Sequence, residues 1–385
     1  MKHLFLIVFS FVFTFAKAQS IDDIFFGTDS TFDIATWNIE QFPKNGSTTI
    51  QYVTDIIYAL DLDYIAMQEV NSPSQFENFI AQLDGYEGFY QQNDYARLAV
   101  IYKSDLIVND LYQIFTTNQY DLAFSRPPIV MEVEFQGADY ILINNHFKCC
   151  GDGYLDTDDP WDEENRRRAA STYLKNYIDT NFPNDNVIVL GDLNDILTDN
   201  ESNNVFQNFL DDSENYRFAD MDIATSASAN WSYPTWPSHL DHILVTNELF
   251  DVLDNPDSEV ACLKIDQALP GGWNAYESNI SDHRPVAMRI KPNTSVGVED
   301  AISHNALFTS YPNPAHTGAS FRFENRQAAT KLLIFDTVGK LVKSEMITPG
   351  SSEIYVSFSD LQSGLYFAEL HSEQGRMGSI KFVKN

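Results

Sequence analysis

Apolar positions along this chain repeat with two periods. Between residues 32 and 290, short runs rich in β-branched and aromatic residues predict strands. They are FDIATWNIE (32–40), DYIAMQEV (63–70), RLAVIYK (97–103), PIVMEVEF (128–135), DYILINNHF (139–147), NVIVLGDL (186–193), HLDHILVT (239–246) and HRPVAMRI (283–290). Most are bounded by Asn, Asp, Gly or Pro, as strands are. Two stretches carry the helical period instead. In TTIQYVTDIIYAL, Val53, Ile56, Ile57 and Leu60 fall on one face. The segment 162–182 opens acidic and continues basic, with Glu163–Arg167 and Glu164–Arg168 at the favourable i, i+4 spacing. Strands alternating with helices predict a mixed α/β domain whose sheets bury a face against each other or against helices.

The two ends depart from this pattern. MKHLFLIVFSFVFTFAKA has a basic start, an apolar run from Leu4 to Ala16, and small residues at Ala16 and Ala18. That is the form of a secretory signal peptide (1–18) cleaved before Gln19. The run is short for a bilayer span, and no later segment is apolar enough to be one. The large domain (19–291) is followed by an aperiodic stretch, 292–306, which reads as a linker. From 307 to 385 the runs SFRFEN, TKLLIFDTVGKLVKSEM, EIYVSF, GLYFAEL and SIKFVKN, broken by Gly and Pro turns, predict a small all-β sandwich.

Charge narrows the partners. The formal net charge is −31; the signal carries +2 and residues 307–385 carry +1, which leaves −34 for the segment between. Such a chain does not grip nucleic acid through a broad basic surface, although divalent cations can still bring a phosphate to it. Composition is 44% hydrophobic, ample for a large core. The three cysteines of an exported chain point to disulfide chemistry. Cys149 and Cys150 form an adjacent bridge, or one of them pairs with Cys262. A zinc site of His146, Cys149 and Cys150 is disfavoured, because adjacent cysteines do not easily both face one tetrahedral ion.

Chemistry-bearing residues gather where apolar runs end. Asn38 and Glu40 close the first strand, Glu69 the second, and His146 follows NN. Asp192 and Asn194 follow an apolar run and a glycine in VIVLGDLND, Asp241 opens HILV, and Asp282 and His283 are adjacent. Side chains at strand ends can converge above a sheet on rigid supports. Two loops are ambiguous. GDGYLDTDDPWDEEN (151–165) is either a structural Ca²⁺ loop without EF-hand spacing or a solvated acidic loop. The aromatics of WSYPTWPSH (231–239) stack on bases, line a lipid-binding lip, or simply pack the loop.

The ordered set WNIEQF, AMQEV, FSRPP, NNHF, GDLND, LDHI and SDHRPV resembles the endonuclease/exonuclease/phosphatase superfamily, of which pancreatic-type DNase is the familiar member. The resemblance implies a four-layer α/β/β/α sandwich of two mixed sheets and hydrolysis of phosphate esters with Mg²⁺ or Mn²⁺. It further implies that Asn38 and Glu69 hold the metal with Asp282 close by, and that Asp192 and Asn194 position the attacking water and the phosphate. Asp241 would orient His283 and make it basic, and His146 would be the second imidazole. Arg126 would contact phosphate, the alternative being an ordinary ion pair. One departure stands out: DNase-like members carry a glutamate before the strand written here RLAVIYK, where this chain has only Asp94. The tail, from YPNPAHTGASFRF to SIKFVKN, is similar to the C-terminal sorting domain of the type IX secretion system. That likeness implies the secretion machinery as a partner, and release or surface attachment afterwards. The expectation is an exported, monomeric, metal-dependent phosphoester hydrolase acting on DNA or RNA. A phosphatase or phosphodiesterase of small esters or lipid headgroups is the alternative, and a binding module with a degenerate site is the third.

Overall fold

A computed structural model describes residues 20, 21, 24–91, 97–292, 308–323, 331–337, 340–348, 350–372 and 375–385. The expected signal peptide, most of the expected linker and Asp94 lie outside the described residues. The chain divides into two compact units between Asn293 and Thr294.

In the first unit, β1 (Phe32–Phe42) leads through α1 (Ser47–Leu60) to β2 (Tyr64–Val70), α2 (Pro73–Ile80), β3 (Tyr86–Tyr90) and β4 (Arg97–Lys103). Then come β5 (Ile107–Gln113), β6 (Ile129–Phe135), β7 (Ala138–His146), α3 (Glu163–Asn181), β8 (Val187–Asp192), β9 (Tyr216–Phe218), β10 (Asp241–Thr246), β11 (Glu259–Cys262) and β12 (Val286–Ile290). They form two six-stranded sheets, ordered β11-β12-β1-β2-β4-β3 and β5-β6-β7-β8-β10-β9. Both sheets are mixed. Each has one parallel pair, β1 with β2 and β7 with β8, bridged by α1 and α3, and otherwise antiparallel neighbours. The sequence shows no internal repeat, yet the two sheets repeat one strand plan.

Period-two alternation explains the layers. On β1, Phe32 and Ile34 enter the core between the sheets, while Ala35, Trp37 and Ile39 face the α1 layer. On β7 and β8, Leu142, Ile188 and Leu190 point inward, and Ile141, Ile143, Val187 and Val189 pack under α3 with Ala170, Leu174 and Ile178. Three cores between four layers make the α/β/β/α sandwich. Strands buried on both faces read as continuous apolar runs, as these do.

α3 differs from its expected surface. Asp162 caps it, its side chain accepting from the Asn165 N–H at 2.7 Å. The expected i, i+4 ion pairs do not form. Arg167 instead turns inward to Glu164 at 3.1 Å, to Asp195 at 2.8 Å and to the carbonyls of Lys148 and Cys150, where burial favours a fully used guanidinium over a solvated pair. Glu163 faces Lys148 at 3.9 Å, and Arg168 donates to Asn165.

The second unit holds β13 (Phe308–Tyr311), β14 (Gly318–Phe323), β15 (Lys331–Phe335), β16 (Leu341–Met346), β17 (Glu353–Ser357), β18 (Gly364–Ser372) and β19 (Gly375–Lys384). A three-stranded sheet, β13-β14-β17, and a four-stranded one, β16-β15-β18-β19, share a core that includes Phe321, Ile334, Val356, Phe358 and Phe382. This is the expected small sandwich. No helix among the described residues is long and apolar enough to cross a membrane.

Candidate active site

Strand direction brings the sequence-predicted residues to one rim. β1 and β2 run parallel, so Asn38 and Glu69 finish at the same edge. β7 and β8 do likewise, and His146 sits directly beside Asp192 in register. β10 and β12 run antiparallel to them and therefore deliver what precedes or opens them: Asp241 opposite Asp192, and Asp282 and His283 just ahead of β12. Asn38, Glu69, His146, Asp192, Asp282 and His283 line a cleft of about 570 Å³, with Asp241 buried behind His283.

The backbone is bent to aim these groups. Glu40 (φ 28°), Gln41 (φ 54°), Glu69 (φ 62°) and Asn194 (φ 54°) occupy the left-handed region that non-glycine residues avoid, and the β1–β2 register breaks between Asn38 and Phe42. Such positions persist only where the surroundings impose them, and they concentrate at functional sites. Gly191 serves a closer purpose. A Cβ there would lie 2.0 Å from the Asn145 carbonyl oxygen, so only glycine lets β8 lie against β7 at this point.

Asn38 draws two carboxylates together, donating from Nδ2 to Asp192 at 2.9 Å and to Glu69 at 3.3 Å. Its Oδ1 accepts the Glu40 N–H at 3.0 Å. Glu40 accepts from the Asp282 N–H at 3.0 Å and pairs with Lys44. The loop carrying Asp282 and His283 is stapled to β1 by Ser281, which donates to the Asn38 carbonyl at 2.6 Å and accepts the His283 N–H at 3.0 Å. Beneath the site a buried polar layer joins the sheets. Gln68 donates to Asn144 at 2.9 Å, and Asn144 donates to the carbonyls of Met67 and Ala99.

The two imidazoles sit in different fields. His283 Nδ1 lies 2.7 Å from Asp241 Oδ2, which fixes the ring and turns Nε2 toward Asp192, 3.9 Å away. Burial opposes its charge, but Asp241, Asp192 and Asp282 override it and lift His283 to about 10. His146 Nε2 is 3.5 Å from Asp192 Oδ2, and its Nδ1 is buried with no hydrogen-bond partner among the described residues. Burial, then the charges of Arg126 and His283, push His146 well below its ordinary value. Burial raises Asp192 to about 7 against the pull of His283. Burial likewise raises Asp282 to about 6; His283 opposes the rise, and Glu40 and Glu69 add to it.

Arg126 forms no ion pair among the described residues. Its guanidinium donates to the carbonyls of His146 at 3.3 Å and Phe147 at 2.9 Å, bracing the strand end that carries the histidine. Asn194 reaches the same Phe147 carbonyl at 3.3 Å, while its backbone N–H donates to Asp192 Oδ1 at 3.1 Å. Cys149 and Cys150 form the adjacent disulfide and line the cleft; Cys262 is free, so the alternative pairing does not occur.

The aromatics of 231–239 divide between the cleft and the loop: Tyr233 lays its ring 4.7 Å from that of His283 and Trp236 stands exposed at the cleft, whereas Trp231 packs its loop by donating to the Ile223 carbonyl. A further group was not singled out by the sequence. Asp220, His239 and His242 form a fully buried network. His242 reaches Asp220 at 2.6 Å and the Asp195 carbonyl at 2.9 Å, so both its ring nitrogens face acceptors and the ring carries a charge. Burial opposes that charge, and Asp220 overcomes it. Every ring nitrogen in the network is engaged, His239 Nδ1 by the Ser232 N–H, which makes it a brace for the loop after Asp192 rather than a metal centre.

The Endonuclease/Exonuclease/phosphatase family matches residues 35–283. The chain belongs to that family. Its tail, residues 309–385, matches the secretion system C-terminal sorting domain, which indicates export through the type IX system to the cell surface or beyond. Among solved structures, D. rerio TDP2 complexed with single-strand DNA product has a TM-score of 0.52 at 16% identity, covering 68% of this chain and 99% of that one. D. rerio TDP2 humanized by 14 mutations has a TM-score of 0.50 at 14% identity, covering 68% and 99%. At these identities the likeness is one of fold. None of the curated proteins matches the sequence. As a family member, the chain is a phosphoester hydrolase by class.

Proposed function

We propose that this family member is an exported, metal-dependent nuclease that hydrolyses phosphodiester bonds of DNA or RNA outside the cell. The observation that carries the reading is the convergence of Asp192 with the His283–Asp241 pair, His146 and the Asn38–Glu69 pair on one cleft. The D. rerio fold relative, solved with a single-strand DNA product, is in keeping with such a substrate.

The donor set suits a hard divalent cation. Glu40, Glu69, Asp192 and Asp282 crowd together, Lys44 pairs only with Glu40 among them, and Glu40 and Glu69 add to the rise that burial gives Asp282. Glu69 and Asp282, with the Asn38 amide oxygen, which accepts only the Glu40 N–H among the described residues, would hold Mg²⁺ or Mn²⁺. When bound, the ion polarises the phosphate and offsets charge on its oxygens.

The chain's own groups divide the remaining work. Asp192, raised to about 7, is suited to take a proton from the attacking water, with Asn194 and Asn38 fixing its two oxygens. His283, charged at neutral pH and locked by Asp241, offers Nε2–H to the phosphoryl oxygens. His146 stays neutral and contributes a hydrogen bond rather than a charge. Arg126, committed to the carbonyls of His146 and Phe147, acts on phosphate through that strand end.

The net charge of −34 between signal and tail favours a second reading, hydrolysis of small esters or lipid headgroups, which need no long basic track. One assay separates them. The full chain is offered plasmid DNA, RNA, sphingomyelin and a simple phosphomonoester, with and without EDTA. Metal-dependent cleavage of either nucleic acid supports the first reading, and its failure on both sinks it.

A further inference from the structure

We infer that the loop following His146 binds one calcium ion through Asp152, Asp162 and Glu164, at a site separate from the catalytic carboxylates. One oxygen from each of the three carboxylates lies within 4.8 Å of the others. Each carboxylate is pre-aimed by a backbone N–H on one oxygen only. Asp152 Oδ1 accepts from Tyr154 at 3.0 Å, Asp162 Oδ1 from Asn165 at 2.7 Å and from Asp156 at 3.3 Å, and Glu164 Oε1 from Gly153 at 2.8 Å.

Glu164 supplies an independent observation. It is only 2% exposed, and its Oε2 is buried without a hydrogen-bond partner among the described residues. An orphaned buried carboxylate oxygen is costly unless a cation completes it. The sequence also keeps room for this group. At Gly151 (φ 107°) a Cβ would lie 2.4 Å from Glu164 Oε1.

Charge points the same way. Arg167 is the one cation touching the cluster among the described residues, and it is shared with Asp195 at 2.8 Å and with the carbonyls of Lys148 and Cys150. Four carboxylates against one guanidinium leave an excess of three negative charges, which a divalent ion reduces to one. The donors are all oxygens on a loop and the start of a helix, an irregular arrangement that suits calcium's flexible coordination better than magnesium's strict octahedron. The ion would tie Glu164 through Arg167 to Asp195 and to the chain just after His146, stiffening one wall of the cleft.

The test is calcium titration of the EDTA-treated full chain by calorimetry, with thermal unfolding in parallel in CaCl₂ and in MgCl₂. Wild type should bind calcium with a dissociation constant on the order of 0.1 mM, as extracellular sites do, and gain about 5 °C in Tm. Asp152→Ala, an exposed position away from Arg167, should lose that binding event and the shift. Glu164→Gln should weaken binding at least about tenfold, and Glu69→Gln, in the catalytic cluster, should keep it. If Glu164→Gln fails to fold because Arg167 loses its partner, Asp152→Ala decides alone. Calcium binding unchanged in Asp152→Ala, binding lost in Glu69→Gln but kept in Asp152→Ala, or no calcium response in wild type would each overturn the site.

Discussion

The two walls of the cleft hold their histidines by opposite means. His283 is fixed by a hydrogen bond to Asp241 and lives among carboxylates, so it is charged and oriented before any substrate arrives. His146 is fixed by packing. Its ring is buried, its Nδ1 has no hydrogen-bond partner among the described residues, and Arg126 grips the carbonyls of its strand end instead. One imidazole is positioned through its ring, the other through its backbone. Environment thus splits two identical side chains into a cation and a neutral donor around a shared Asp192.

Substitutions can break or sharpen this contrast. Asp192→Ala removes the group both imidazoles face and should lower kcat about 10⁴-fold, measured on whichever phosphoester the chain cleaves. His283→Ala should cost about 10³-fold, and His146→Ala nearer 10²-fold. The reverse order would mean the charged ring is not the main stabiliser of the phosphoryl oxygens. Arg126→Lys should cost roughly tenfold in kcat with KM little changed, because it loosens a strand end rather than a phosphate contact. A rise in KM at constant kcat would return Arg126 to direct phosphate binding.

The smallest expected effect concerns stability. The folded pKa of His283 lies near 10, above its unfolded value of about 6.5. The pair with Asp241 is therefore fully stabilising below pH 6.5, and its contribution is lost as pH climbs through 10. In EDTA, Asp241→Asn should melt a few degrees below wild type near pH 6 and approach it toward pH 10. A deficit that grows with pH would remove the His283–Asp241 charge pair from the account.

What the sequence disclosed follows from burial. The eight expected strands are the inner strands of the two sheets, where both faces are covered and apolar runs are unbroken. The four that escaped notice, β3, β5, β9 and β11, are the four sheet edges. YEGFY, IVNDLYQ, YRF and EVAC are short or half-exposed and carry no clean period. The site was legible wherever a polar residue interrupted an inner strand's end, as at Asn38, Glu69, His146, Asp192 and Asp241. It was not legible where the arrangement rests on long-range contacts. Nothing local tells that Arg126 seeks two backbone carbonyls, that Tyr233 covers His283, or that His242 joins Asp220 to the Asp195 carbonyl. Helix faces misled in a related way. The i, i+4 spacing on α3 was real, but Arg167 found better partners inside.

The repeated strand plan gives the seam between the sheets a role of its own. Asn38, Glu69, Asp282 and His283 come from one sheet, and His146, Asp192, Asn194 and Asp241 from the other. The bonds His283–Asp241 and Asn38–Asp192 therefore cross the seam, above the Gln68–Asn144 contact that crosses it deeper down. Neither half alone contains the full candidate set. A slide of one sheet over the other by about an ångström would part these bonds while the apolar layers stayed closed. Turnover should therefore gauge the alignment of the two halves, and on warming it should fade before the fold itself gives way.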